Sequence, residues 1–212
     1  MKRPFVHNTA VMKTFALLMF LLLVAADPVL AALQPPSPLT AATLCETAVG
    51  AAESRERLPP RMMDAIARIE SGRIDPATNR LRPWPWTINA EGEGRFFATK
   101  AQAVAAVRSL QARGVRSIDV GCMQVNLMFH PNAFPSLEAA LDPPGNALYA
   151  ARFLNMLYGL SRDWPRAIGE YHSQTPVLGQ DYRQRVLALW RRPELSGATL
   201  GLAVAYRDFQ SG

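Results

Sequence analysis

The sequence predicts one mainly helical α+β domain, with a small antiparallel sheet inserted between its second and third long helices. Three observations lead there. Apolar residues recur at helical spacing through most of residues 41 to 191. Between residues 73 and 98 that period gives way to a stretch punctuated by Pro and Gly with strand-like alternation. No self-similar period, low-complexity tract or shift in composition marks a repeat array or a second domain. The chain has 212 residues, 49% of them hydrophobic and 19% charged, which is enough apolar surface for a core and too little charge for a self-repelling chain.

The first segment reads as an address. Lys2, Arg3 and Lys13 precede an apolar run from Phe15 to Ala26, and Val29-Leu30-Ala31 offers the small residues of a cleavage site. The run is shorter than the roughly 20 apolar residues a spanning helix needs. Residues 1–31 are therefore expected to be a cleavable signal peptide for export to the periplasm; an uncleaved signal anchor is the alternative. No later segment is expected to span a membrane. Residues 32–40 read as a Pro-rich linker, 41–191 as the domain and 192–212 as a loosely held tail. Three bases and Asp27 leave with the leader, so the net charge falls from +6 to +4. A mild basic bias suits a polyanionic partner. No Arg/Lys cluster with interleaved aromatics supports nucleic-acid binding, which is set aside.

Within the domain, Ala41, Leu44, Cys45, Ala48, Val49 and Ala52 form the stripe of a first helix, which Pro59 and Pro60 stop. Met62, Ala65, Ile66 and Ile69 stripe a second helix, ended by Gly72. A hairpin is expected with Trp86 to Asn89 against Arg95 to Ala98 and with Gly92 and Gly94 near its turn. Thr99 and Gln102 form a capping box for a helix striped by Ala103, Val104, Val107 and Leu110 and ended by Gly114. Val115–Val120 reads as a third strand. Ser136 caps a short helix through Leu141, a longer one runs from about Asn146 to Tyr158, and Asp163 caps the next, with Pro165 in its first turn. Leu178, Tyr182, Val186, Leu189 and Trp190 share a face of the last.

Four places carry candidate chemistry. Glu70 ends the second helix, where a carboxylate opposes the helix dipole, and it adjoins the stripe of Ile66 and Ile69. Both effects raise a carboxyl pKa, as a general acid requires; the alternative is a solvated Glu answering Arg68 or Arg73. In Asp119-Val120-Gly121-Cys122-Met123-Gln124-Val125-Asn126, Gly121 permits a tight turn, and Gln124 and Asn126 alternate with Val125 so that two amides can face one side toward a polar ligand such as a sugar. The competing reading is turn chemistry. Tyr171 and His172 end a third candidate segment as a buried hydroxyl and a potential acid–base group, or as ordinary core and helix-end residues. Trp84 and Trp86 are sugar platforms or loop anchors. The even count of Cys45 and Cys122 in an exported chain favours a disulfide, since zinc-like spacing to His130 or His172 is lacking.

Taken in order, these pieces resemble the soluble lytic transglycosylase domain, a lysozyme-like fold, over about residues 41 to 191. The family's Glu-Ser, Gly-Leu-Met-Gln and Ala-Tyr-Asn motifs read here as Glu70-Ser71, Gly121-Cys122-Met123-Gln124 and Glu170-Tyr171-His172. The inserted hairpin and the 118–126 stretch look most like small muramidases that accompany secretion and conjugation machines. The resemblance implies cleavage of peptidoglycan glycan strands between N-acetylmuramic acid and N-acetylglucosamine, giving a 1,6-anhydro product without a cofactor or metal. Glu70 would act as acid and then base, and Ser71, Met123, Gln124, Asn126, Tyr171 and His172 would line the sugar cleft. Cys122 and His172 replace the family's Leu and Asn; with His172, a falling activity limb near neutral pH is expected. A second carboxylate near Glu70, Asp119 or Asp75, would instead suit a hydrolytic muramidase. A wall-binding or assembly protein without catalysis is the remaining alternative.

Overall fold

The computed structural model describes residues 38–76 and 78–193. The expected signal peptide, residues 32–37 of the linker and tail residues 194–212 lie outside them. Residues 38–40 of the expected linker belong instead to the first turn of helix α1 (Pro38–Arg55), where a proline is suited to the first position. Helix α2 (Met62–Ser71) follows. Its own first residues supply no side-chain cap; instead the Glu53 carboxylate on α1 accepts from the Arg61 and Met63 amides at 2.6 and 2.9 Å.

Strands β1 (Gly72–Ile74) and β2 (Leu81–Pro83) pair as a small antiparallel ribbon that the sequence did not disclose. The second sheet has the order β4-β3-β5-β6, from β3 (Thr87–Ala90), β4 (Glu93–Phe96), β5 (Ile118–Val120) and β6 (Val125–Asn126), all antiparallel. The hairpin is one residue out of the expected phase: Glu91 and Gly92 make its turn, and Gly94 lies inside β4 opposite Asn89. The third strand is shorter than expected because residues 115–117 serve as the exit from helix α3 (Lys100–Ala112), where the Val115 amide donates to the Leu110 carbonyl. Thr99 caps α3 as expected, and Gln102 reaches back to the Ala98 amide.

Helices α4 (Leu137–Ala140), α5 (Pro143–Ser161), α6 (Trp164–His172) and α7 (Pro176–Arg191) complete the chain. Ser136 and Asp163 cap α4 and α6 as the sequence predicts. Two stripe positions are corrected. Leu44 is 41% exposed and Leu178 is 56% exposed. At the second, α6 and α7 approach too closely for a leucine: a Cβ on Gly179 would sit 2.9 Å from the Gly169 carbonyl oxygen, so the glycine faces the crossing and Leu178 faces out.

Buried side chains form two clusters. One joins α1, α2, α5, α6 and α7; the other joins the larger sheet to α3 and α4. The chain passes between them at Gly121, with Val120 in the sheet cluster and Cys122 and Met123 in the helical one. The expected disulfide is present: Cys45 and Cys122 are bonded, tying α1 to that turn. Asn146 on α5 holds the turn from the other side, accepting from the Met123 amide at 2.9 Å and donating to the Val120 and Ala140 carbonyls at 2.9 and 3.0 Å. Gly121 has φ +84°, and a Cβ there would lie 2.5 Å from the Asn146 amide nitrogen, so both the conformation and the space require glycine. Among the described residues no helix is long and apolar enough to cross a membrane.

Candidate active site

Glu70 sits in the last turn of α2 and is 9% exposed. Its expected surface partners are engaged elsewhere: Arg68 pairs with Asp64 at 2.9 Å, and the Arg73 guanidinium lies over the Trp84 ring, 4.3 Å from its centroid. The Glu70 Oε1 accepts a 2.6 Å hydrogen bond from the Tyr182 hydroxyl on α7. Burial pushes the carboxyl from the ordinary 4.5 up to about 8; the Tyr182 bond opposes the rise, the negative charge of Asp119 adds to it and Arg185 opposes it. At neutral pH the group therefore holds its proton.

Asp119 lies on β5, in register with Asn89 on β3 and Asn126 on β6. Paired residues share a face of an antiparallel sheet, so the three polar side chains form a row, and Gly94 continues it on β4. Asn126 Nδ2 donates to Asp119 Oδ1 at 2.8 Å and Asn89 Nδ2 to Oδ2 at 3.4 Å. Burial raises the Asp119 carboxyl to about 6 against these two bonds, which leaves it largely ionised at neutral pH. Asp75, the other candidate for a second carboxylate, is committed to the β1–β2 connection: it accepts from the Thr78 amide at 3.2 Å and lies 3.4 Å from Arg82.

The remaining expected site residues divide into rim and floor. Tyr171 is half-buried and donates to the Met123 carbonyl at 2.7 Å; burial and the charges of Glu70 and Asp119 hold its hydroxyl well above the usual phenol range. The His172 imidazole stacks on the Tyr182 ring with centroids 4.5 Å apart. Burial and the Arg185 charge lower its pKa, and the Asp181 charge opposes that. Ser71, Met123 and Gln124 are buried beneath the site. Ser71 donates to the Cys122 carbonyl at 2.7 Å. Gln124 Nε2 donates to the Thr87 and Gly121 carbonyls, and its Oε1 is buried with no hydrogen-bond partner among the described residues. Asn126 spends its amide on Asp119 and on Ser117 at 3.0 Å, and its Oδ1 on the Met128 and Phe129 amides, which is the turn reading of that residue. Trp84 and Trp86 are buried and T-shaped to each other, with Trp84 Nε1 donating to the Phe97 carbonyl at 2.7 Å, so they anchor the loop.

Sequence reasoning did not find the roles of Tyr182, Asn89 and Asn146. Tyr182 was legible only as an apolar stripe member. Asn146 did leave a signal: it shares a helix face with Ala150 and Leu154 at four-residue spacing, and a lone amide on a buried stripe needs partners. A groove of about 850 Å³ between α1 and the start of α5, lined by Leu44, Ala48 and Trp86 among others, contains none of these residues. Both cysteine sulfurs are used in the disulfide. Searches of family models, curated proteins and solved structures found no match to this chain.

Proposed function

We propose that this protein is a peptidoglycan lytic transglycosylase with a lysozyme-like domain, acting in the periplasm on the glycan strand. The observation that carries the reading is Glu70: a proton-holding carboxyl at a helix end, oriented by the Tyr182 hydroxyl and acted on by the charge of Asp119. A carboxyl that keeps its proton near pH 7 suits donation to a glycosidic oxygen. In the proposed step Glu70 protonates the bridging oxygen as the bond to the muramic anomeric carbon breaks. The resulting carboxylate then takes the proton of the muramic 6-hydroxyl while that oxygen closes on the anomeric carbon. One C–O bond breaks, one forms, Glu70 regains its proton and no water is consumed. The buried disulfide supports an oxidising compartment, and a secretion or conjugation machine in the envelope is the partner we associate with this reading.

Asp119 supports a second reading, hydrolysis. Its charge acts on Glu70, and two carboxyls with separated pKa values are the usual equipment of a glycosidase that uses water. Products from purified sacculi separate the readings: anhydro-muramic ends support the lyase and reducing ends the hydrolase. Zymography should show clearing by the wild type and none by Glu70→Gln; clearing by the variant would remove Glu70 from the mechanism.

A further inference from the structure

The small β1–β2 ribbon holds two arginines in register, Arg73 and Arg82, in opposite electrostatic settings. Arg82 is neutralised: it pairs with Glu46 at 2.6 Å and lies 3.4 Å from Asp75. Arg73 follows the end of α2 and is half-buried, yet among the described residues no carboxylate or carbonyl accepts from its guanidinium. Rings hold it instead, with its guanidinium carbon 4.3 Å from the Trp84 centroid and 5.8 Å from that of Phe96. Trp84 is itself fixed: its amide donates to the Ser71 carbonyl at 3.0 Å and its indole to the Phe97 carbonyl at 2.7 Å. Stacking occupies the flat face of a guanidinium and leaves the N–H donors around its edge. The Phe96 contact also locates the charge. Phe96 lies two places along β4 from Gly94, Gly94 pairs with Asn89, and Asn89 pairs with Asp119. Residues two apart on a strand, and residues paired across it, share a face, so Arg73 lies against the sheet face that carries Asp119.

We infer that Arg73 is a specificity-determining residue that pairs with a carboxylate on the side arm of a muramic unit. Neutral N-acetylated sugars give a cation nothing to pair with. A muramic unit carries a lactyl carboxyl, free in a bare strand and, where a peptide is attached, replaced by the carboxylates of that peptide. A guanidinium takes a carboxylate through two parallel N–H···O bonds. Fixed in advance by two rings, it gives up little freedom on pairing. The contrast with Arg82 supports the assignment, since the same ribbon supplies internal carboxylates to one arginine and leaves the other for an external one. The inference rests on the glycan reading of the Glu70 site.

The test uses the full chain carrying Glu70→Gln, which binds without turnover, co-sedimented with purified sacculi and with sacculi whose carboxyls have been capped by carbodiimide and ethanolamine. Capping should weaken binding by about tenfold, the loss of one charge-assisted pair. Adding Arg73→Met should weaken binding to native sacculi by a similar factor and make the chain indifferent to capping, and Arg73→Lys, which keeps the charge without the fork, should fall between. Strands stripped of peptide by an amidase identify the carboxylate: a loss in Arg73→Met on stripped strands assigns the lactyl group, and a loss confined to intact sacculi assigns the peptide. Binding by the Arg73 chain that survives capping overturns the inference without any Arg73 variant and leaves the glycan site standing. So does a capping effect of equal size in Arg73→Met, which would mark general charge attraction, or a loss in Arg73→Met that is the same on native and capped sacculi, which would mark a structural role. If the Glu70→Gln chain binds neither kind of sacculus, the glycan reading and the role of Arg73 fall together.

Discussion

The end of α2 and the middle of β5 present the same functional group in two different settings. Glu70 and Asp119 are both buried carboxyls, and burial is the main cause of the rise in both, yet one is pushed to about 8 and the other to about 6. The difference follows from what each secondary structure can offer. At the end of a helix the nearby backbone groups are carbonyls, which cannot donate, so among the described residues Glu70 relies on one hydroxyl from Tyr182. On a sheet the neighbours are side chains in register, and two amide donors stabilise the charge of Asp119. Their mutual repulsion then falls on the less supported of the two. A helix end thus yields an acid and a strand yields an anion, from nearly identical chemistry.

The largest effect tests the helix-end half of that contrast. Because the native Glu70 pKa lies above its unfolded value of 4.5, the native state binds more protons than the unfolded state between pH 4.5 and about 8. This group's contribution is therefore most favourable below pH 4.5 and is lost as pH rises to about 8. Each pKa unit is worth about 1.4 kcal/mol. Glu70→Gln, which cannot ionise, should gain several kcal/mol relative to wild type between those limits, measured as unfolding midpoints in urea at a series of pH values. A constant difference across the range would remove the proton from Glu70.

Next in size is the turn that sets the two carboxyls against each other. The disulfide closes a loop across a sequence separation of 77 residues, for which chain entropy gives about 4 kcal/mol. The paired Cys45→Ala and Cys122→Ala variant should melt roughly 10 °C lower, and its activity should fall more steeply with temperature. The Cys122 and Met123 carbonyls hold Ser71 and Tyr171, so loosening this turn loosens both halves of the site. A melting curve identical to wild type would mean that Asn146 alone holds the turn.

Part of this arrangement was legible in the sequence. Glu70 could be singled out because its local setting contradicts a stability preference, a negative side chain where a helix favours a positive one. The caps at Thr99, Ser136 and Asp163 and the pairing of Cys45 with Cys122 were legible because each depends on residue type and a short spacing or on a small count. Distant partners were not. Tyr182 lies 112 positions from Glu70, and nothing on its own helix marks it as more than a core residue. Asn126 carried two readings, and only the register of β5 with β6 decides that its amide serves Asp119 and its oxygen the next loop. Leu178 misled because periodicity cannot register how closely two helices cross; Gly169 and Gly179 determine that.

Asp119→Asn tests the strand half of the contrast. Removing its charge relieves repulsion on Glu70, so the alkaline limb of activity, where Glu70 loses its proton, should move acidward from about pH 8 by up to about one unit. That shift is expected for a lyase and a hydrolase alike. What differs is the acid limb. If Asp119 must be ionised for hydrolysis, wild-type activity rises through about pH 6 and the variant loses most of its turnover. If the muramic hydroxyl is the nucleophile, the variant keeps turnover within about tenfold while the alkaline limb still moves. An alkaline limb that stays fixed would show that the two carboxyls do not interact.

The smallest expected effect is the most specific to the helix end. Tyr182→Phe deletes the hydroxyl that donates to Glu70. Since that bond favours the ionised carboxyl, its loss should move the alkaline limb upward, opposite to Asp119→Asn, by about half a unit to one unit. The buried hydroxyl's removal should cost about 1 kcal/mol in stability, and the phenylalanine ring still stacks on His172, so the fold is kept. The carboxyl, freed to rotate, should lose turnover about tenfold with little change in KM. The opposed directions of the two limb shifts separate positioning from general damage, because a merely destabilised enzyme loses activity without moving either limb. In Asp119→Asn with Tyr182→Phe the shifts should largely cancel; a limb that follows only one of the two substitutions would show that a single neighbour sets the proton affinity of Glu70.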